Sequence, residues 1–377
     1  MRIAIQTADL DAPRIDGTRV YLWQLLKRFG SLAYDDTFVL YHRTSFNPHI
    51  TPPDFSNYYV RSIPQPFFWT QTRLAFSLYQ DKPNALWMPV QSMPLLKNPK
   101  MISTVTIHDL AFRYFPQHFP FKDRYKLFLL ASLAIHNAHK IIAVSRHTKK
   151  DILHFYPDID PEKITVVHHG YDASMFSEKE EKNIEKKEKF LQSLGIGKSR
   201  YLLYVGALQP RKNIEMLIGA FNVIKKKESF SDIKLVLAGE RAWLWESIEK
   251  KRNQSPYRED IIMTGKLPFC DIITLYKKAS LFVYPSLYEG FGLPILEGFG
   301  AGVPVVCSRV SSLPEVGGDG AIYFDPYSES DLVSSLEKLL SDEVLCQWYI
   351  ERGRKQLKYF SWEKCAKETI DVIRKDV

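Results

Sequence analysis

The sequence predicts an α/β protein built from two doubly wound lobes that face each other across a cleft. Three observations carry this. First, short β-rich runs alternate with helical patterns from the first residue onward, the arrangement that builds parallel sheets. Second, several of these runs are apolar throughout rather than alternating, as strands covered on both faces by helices must be. Third, at 377 residues the chain has room for two domains of ordinary size, and a charged, core-poor stretch divides it near the middle.

In the first half the runs are RIAIQT, TFVLYH, YYVRSI, ALWMP, ISTVTIHDL, KIIAVS and ITVVHHG. In the second they are YLLYVGAL, KLVLAGE, IIMTG, LFVYPSL, VPVVCS and AIYF. Helical stretches such as YLWQLLKRF, NIEMLIGAFNVIKK and DLVSSLEKLL lie between them. The break falls at 177–200, where residues 178–189 hold no strong hydrophobe except Ile184. Such a piece cannot build a core and reads as a linker or exposed helix. The expected organisation is a first Rossmann-like domain over 1–176 and a second over 201–358. A last helix over 359–377 is expected to pack back on the first domain.

Composition narrows the class. An apolar share of 45% and a charged share of 25% suit a globular protein. No window approaches the roughly 18 apolar residues of a spanning helix. The N-terminus lacks the apolar stretch of a signal peptide, so a cytoplasmic protein is expected. Four cysteines, Cys270, Cys307, Cys346 and Cys365, lack metal-type spacing. The net charge of +8 is uneven: residues 1–175 hold 20 Lys/Arg against 14 Asp/Glu. A basic first half suits an anionic partner, either a phosphorylated ligand or an anionic membrane surface. The stretch KDRYKLFLLASLAIHNAHK, 122–140, is the candidate for the surface. No helix-turn-helix, RNA-binding or zinc-finger signature is present, so nucleic acid is not an expected partner.

Ligands of open parallel sheets sit beyond the carboxyl ends of the strands, and the unusual residues fall there. Gly290, Phe291, Gly292, Leu293 and Pro294 follow LFVYPSL and precede an apolar helix. Pro294 suits a first helical turn, and the glycines allow close backbone approach, so free N–H groups can meet a phosphate or a sugar hydroxyl. Glu289 and Glu297 flank this turn in otherwise apolar surroundings. A carboxylate repels phosphate but accepts from two vicinal hydroxyls. The pair therefore suggests a ligand with two hydroxyl-rich ends around a charged middle, as in a nucleotide sugar. Arg211 and Lys212 open a helix after YLLYVGAL. Positive charge is unfavourable there unless an anion lies near. In the first half, Gly17 lies in a strand-to-helix loop. His108 and Asp109 end a β-rich run, where a histidine can hydrogen-bond a transferred group or an acceptor hydroxyl. His168 and His169 are expected to shape the lobe boundary.

Over nearly its whole length the chain resembles the retaining glycosyltransferases of family 4, which have the two-lobed GT-B fold. The resemblance rests on EGFGLPILE, YVGALQPRKN, LVLAGE, SLYEGFGLP, AGVPVVCSRVSSLPEVGGDGA, AVSRHTKKDI and VVHHGYD, in that family's order. It implies that Glu289 holds hydroxyls of the donor sugar and Glu297 those of the ribose. Phe291, Gly292 and Leu293 would offer backbone N–H groups, and Arg211 and Lys212 would neutralise the diphosphate. His108 would border the sugar and the acceptor. It also implies a reaction with no metal and no cofactor beyond the nucleoside diphosphate sugar, a glycan or lipid-linked acceptor, and front-face attack with retention. Two departures stand out. Gly206-Ala207 lacks the second basic residue of many relatives, and Gly17 stands alone where many carry a glycine pair. Mannose from GDP-mannose is the first expectation for the donor. UDP-glucose, dTDP-rhamnose and a non-catalytic sugar-nucleotide-binding subunit are the alternatives.

Overall fold

The structure, a computed structural model, describes residues 1–64, 67–176 and 184–377. The start of the expected linker, 177–183, lies outside the described residues. The chain folds into two units, each packed around its own sheet. The first comprises 1–114, 121–170 and 360–377, and the second comprises 115–120 and 171–359.

The first unit holds a parallel sheet of β1 (Arg2–Gln6), β2 (Thr37–His42), β3 (Tyr58–Ser62), β4 (Ala85–Met88), β5 (Ile102–Ile107), β6 (Lys140–Ala143) and β7 (Ile164–Val166). Their spatial order is β3-β2-β1-β4-β5-β6-β7. The central strands are buried along their length, β4 and β6 at every residue. Edge strand β3 instead exposes Tyr59 and Val60. The winding reverses between β1 and β4, which pair through Ile3–Ala85, Ala4–Leu86 and Ile5–Trp87.

The second unit holds β8 (Tyr201–Val205), β9 (Lys234–Ala238), β10 (Ile261–Gly265), β11 (Leu281–Tyr284), β12 (Val305–Ser308) and β13 (Ala321–Phe324). All are parallel, in the order β10-β9-β8-β11-β12-β13, so the reversal falls between β8 and β11. That topological switch point separates the loops after β8 and β11 from their further neighbours and opens a crevice between them. Helix Ile214–Lys225 buries Leu217, Ile218, Phe221 and Ile224, spaced three and four apart on one stripe, and packs against helices Glu246–Asn253 and Glu329–Ser341. Helix Ile184–Ser193 packs against helix Phe269–Lys278.

The last helix, Trp362–Arg374, belongs to the first unit. The Ser361 hydroxyl accepts from the N–H groups of Glu363 and Lys364 and caps its start. Trp362, Cys365, Ala366, Thr369, Ile370 and Ile373 form its buried stripe. This stripe packs against helix Gly17–Leu32 and strands β4 to β6. At its far end Arg374 bonds Asp36 at 2.8 Å, which also accepts from the chain's N-terminal ammonium.

Candidate active site

The second unit's switch point brings together residues that are far apart in sequence. Arg211 and Lys212 lie in the turn after β8, and Glu289 lies in the loop after β11. Glu289 is buried, and its Oε1 accepts from Lys212 Nζ and, at 2.9 Å, from the Tyr284 hydroxyl. Lys212 Nζ also donates to the Tyr284 oxygen at 3.0 Å. Arg211 approaches Glu289 Oε2 at 3.3 Å and donates to the Tyr288 carbonyl. The three charged residues therefore form one buried cluster. Burial would raise the Glu289 pKa, but the Lys212 and Arg211 charges outweigh it and bring the pKa to about 2. The carboxylate is fully ionised at neutral pH.

The loop carrying Glu289 is pinned from both sides. Leu287 N–H donates to the Arg211 carbonyl at 2.9 Å, tying it to the β8 turn. From beyond β12, Ser311 Oγ accepts from Glu289 N–H at 2.9 Å. The Ser312 hydroxyl donates to the carbonyls of Glu289 and Phe291 at 2.9 and 2.6 Å. Gly292 then takes φ +117°, a left-handed conformation, and turns the chain into helix Leu293–Ala301 with Pro294 in its first turn. Glu297 sits one turn into that helix, half-buried, and accepts from the Tyr276 hydroxyl at 2.8 Å. Burial raises its pKa, against the Tyr276 bond.

Beside the switch point, the carboxyl ends of β8, β9 and β10 enclose a concave pocket of about 450 Å³. Leu208, Glu240, Arg241, Thr264 and Lys266 are among its lining residues. Gly239 at its wall has no room for a side chain, because a Cβ would lie 1.9 Å from the Gly206 carbonyl oxygen.

The remaining predicted residues belong to the first unit. His108 follows β5, half-buried, with Nε2 2.8 Å from the Pro89 carbonyl at the end of β4. A carbonyl only accepts, so Nε2 carries the proton and Nδ1 is an acceptor. Burial lowers the His108 pKa, against the Pro89 bond and the carboxylates of Asp109, Asp16 and Asp9. Tyr21 meets its ring edge-on at 5.0 Å and stacks on His169 at 4.7 Å. Asp109 accepts from Ala111 N–H at 3.0 Å, which holds the turn after His108. Gly17 is the first residue of helix Gly17–Leu32, whose cap Asp16 accepts from Arg19 N–H.

Residue patterns alone did not point to Tyr284, Tyr276, Ser311 and Ser312 as site residues. The serines lie within the resemblance motif SRVSSLPE, but the tyrosines look like ordinary core residues of a strand and a helix.

Residues 15–175 match the model of Glycosyltransferase Family 4, and residues 186–356 match that of Glycosyl transferases group 1. The O-antigen chain mannosyltransferase B of Escherichia coli is 32% identical over 278 residues, 72% of this chain and 70% of that protein. The chain belongs to the retaining family 4 glycosyltransferases. As a glycosyltransferase it is a hexosyltransferase with the GT-B fold. The O-antigen chain mannosyltransferase RfbU of Salmonella typhimurium is 29% identical over 249 residues, 66% of this chain and 62% of that protein. Among solved structures, the sucrose-phosphate synthase of Thermosynechococcus elongatus superposes with a TM-score of 0.75 at 18% identity, covering 99% of this chain and 98% of that one. WaaG, a glycosyltransferase of lipopolysaccharide biosynthesis, gives 0.74 at 17% identity, covering 99% and 100%. At these identities the two structures show the shared fold of the glycosyltransferase.

Proposed function

We propose that this glycosyltransferase moves mannose from GDP-mannose to a glycan or lipid-linked acceptor of a surface polysaccharide, without a metal ion. The observation that carries the reading is the buried Lys212–Glu289–Arg211 cluster at the switch point of a chain whose relatives include mannosyltransferases. Breaking the sugar–phosphate bond leaves negative charge on the diphosphate, and fixed cations stabilise it without reorganisation. Glu289 fixes both cations. Its two oxygens offer about four lone-pair sites, so acceptor capacity remains on Oε2 for a donor-sugar hydroxyl. Glu297, steadied by Tyr276, accepts from the ribose. His108 offers Nδ1 to a hydroxyl of the transferred sugar or the acceptor. The leaving phosphate takes the acceptor's proton as the new bond forms on the same face.

The pocket beside the switch point supports guanine as the base. Guanine presents an N2 amino donor that uracil and thymine lack, and the Glu240 carboxylate, 3.1 Å from Lys266, can accept from it. A thermal-shift screen over nucleotide sugars tests the donor, because a ligand of the native state raises apparent stability. GDP-mannose should raise the Tm more than UDP-glucose or dTDP-rhamnose and should be turned over. A response to UDP-glucose alone would overturn the guanine reading, and binding without turnover on any acceptor would overturn the enzyme reading.

The first unit also carries a surface suited to a lipid-linked acceptor. Helix Phe121–Asn137 exposes Phe121, Tyr125, Phe128 and Leu129 along one stripe, interleaved with Lys122, Arg124 and Lys126. Among the described residues no helix is long and apolar enough to cross a membrane. We propose that this stripe rests on the anionic inner face of the membrane, where apolar burial and basic charge act together.

A further inference from the structure

The short segment Phe115–Pro120 lies in the first half of the sequence but packs as part of the second unit. Its contacts explain why. The ring of Phe115 meets Tyr288 at 6.5 Å, beside the carbonyl that holds Arg211. Trp243 donates its indole N–H to the His118 carbonyl at 2.5 Å, and its ring lies 5.7 Å from Phe119. The His118 ring stacks on Phe115 at 5.4 Å. Three ring contacts along the segment, one of them to the imidazole itself, and a backbone bond hold His118 beside the charged cluster.

The ring's own chemistry is incomplete. Nδ1 of His118 is buried and has no hydrogen-bond partner. A buried N–H without an acceptor is rarer and costlier than a buried lone pair, so the neutral ring carries its proton on Nε2. Burial and the Arg211 charge both lower the His118 pKa, which keeps the ring neutral. An uncharged N–H donor set next to an arginine suits an anionic oxygen, since it adds a hydrogen bond without adding repulsion to the cation.

We propose that His118 is a further donor-site residue, which hydrogen-bonds through Nε2–H to a diphosphate oxygen of the nucleotide sugar beside Arg211. The proposal rests on the nucleotide-sugar reading of the site. It means that a segment from the first half of the sequence completes the diphosphate site and that its aromatic contacts position the ring.

The test compares wild type, His118→Leu and His118→Gln in binding GDP and guanosine by titration calorimetry, with donor KM and kcat and the Tm of each free protein. Leucine keeps the bulk of the ring, and glutamine keeps a neutral N–H donor. His118→Leu should weaken GDP binding by about tenfold, as the loss of one hydrogen bond to a charged group does. It should leave guanosine binding unchanged and raise donor KM more than it lowers kcat. Glutamine should restore most of the loss. Unchanged GDP affinity in His118→Leu would overturn the proposal. So would an equal loss on guanosine, or an equal loss in both variants, since each would mean that the ring acts only by packing. If His118→Leu does not fold, wild-type GDP affinity in His118→Gln supports the proposal and a tenfold loss there overturns it. If wild type binds UDP and not GDP, the guanine reading fails and the same comparison with UDP and uridine decides the role of His118. If wild type binds neither nucleotide, the nucleotide-sugar reading itself falls.

Discussion

Glu289 and Lys212 are buried together, so each is costly without the other. Removing one partner of such a pair strands a charge away from water and typically costs 3–5 kcal/mol. We expect Glu289→Gln and Lys212→Met each to abolish most transfer and also to lower stability by about that amount. The double variant should be more stable than Glu289→Gln, because it leaves one cation, Arg211, without its carboxylate instead of two. Urea unfolding of the four proteins checks this. The same cluster sets a pH dependence. The folded-state pKa of Glu289, about 2, lies below its ordinary value of 4.5, so the folded protein binds fewer protons there. The resulting stability is full above about pH 4.5 and is lost as pH falls toward about 2, in total roughly 3 kcal/mol. Wild type should therefore lose more stability than Glu289→Gln between about pH 6 and pH 3, read from urea midpoints. At this scale the glutamates and the Arg-Lys pair were legible because charge is conspicuous in a glycine-rich, apolar stretch. Tyr284 and Tyr276 were not, because a buried tyrosine in a strand or helix carries no mark of its hydroxyl's partner. His118 was not either, since only long-range packing sets it beside Arg211.

All thirteen β-rich runs of the sequence contain strands of the two sheets, and for the central strands burial on both faces leaves a continuous apolar signature. Strand order is a different matter, for no local pattern records which strands neighbour one another. The pairing of β8 with β11 brings the Arg211–Lys212 turn to Glu289, a direct ion pair that no spacing in the sequence announces. The turn after β11 depends on Gly292. A side chain there meets a backbone that L residues rarely adopt, and its Cβ would lie 2.9 Å from Leu313 Cδ2. Gly292→Ala should cost about 1–3 kcal/mol and raise donor KM by tilting the helix start that carries Glu297. A lowered Tm with an unchanged KM would separate the fold's need for this glycine from the site's.

For the whole molecule, the uneven charge read from the sequence has a structural counterpart in the basic, aromatic stripe of helix Phe121–Asn137. The protein should float with liposomes rich in anionic lipid, release as salt is raised, and stay behind with neutral ones. Replacing Phe121 and Tyr125 by serine should weaken flotation without affecting transfer to a soluble acceptor. If wild type treats anionic and neutral lipid alike, the membrane proposal fails.

Neither unit is one continuous stretch of chain. The first sheet is closed by Trp362–Arg374, a helix translated only after the whole second sheet, and the second unit borrows Phe115–Pro120 from the middle of the first. A ribosome therefore releases the first sheet's strands long before the helix that packs on β4 to β6 exists, so that sheet must wait, incompletely covered, until that helix emerges. The same arrangement constrains inheritance. A single recombination event between two related genes at any point between the first sheet and Trp362 separates that sheet from its own covering helix. Parts of this molecule can be exchanged only in matched pairs.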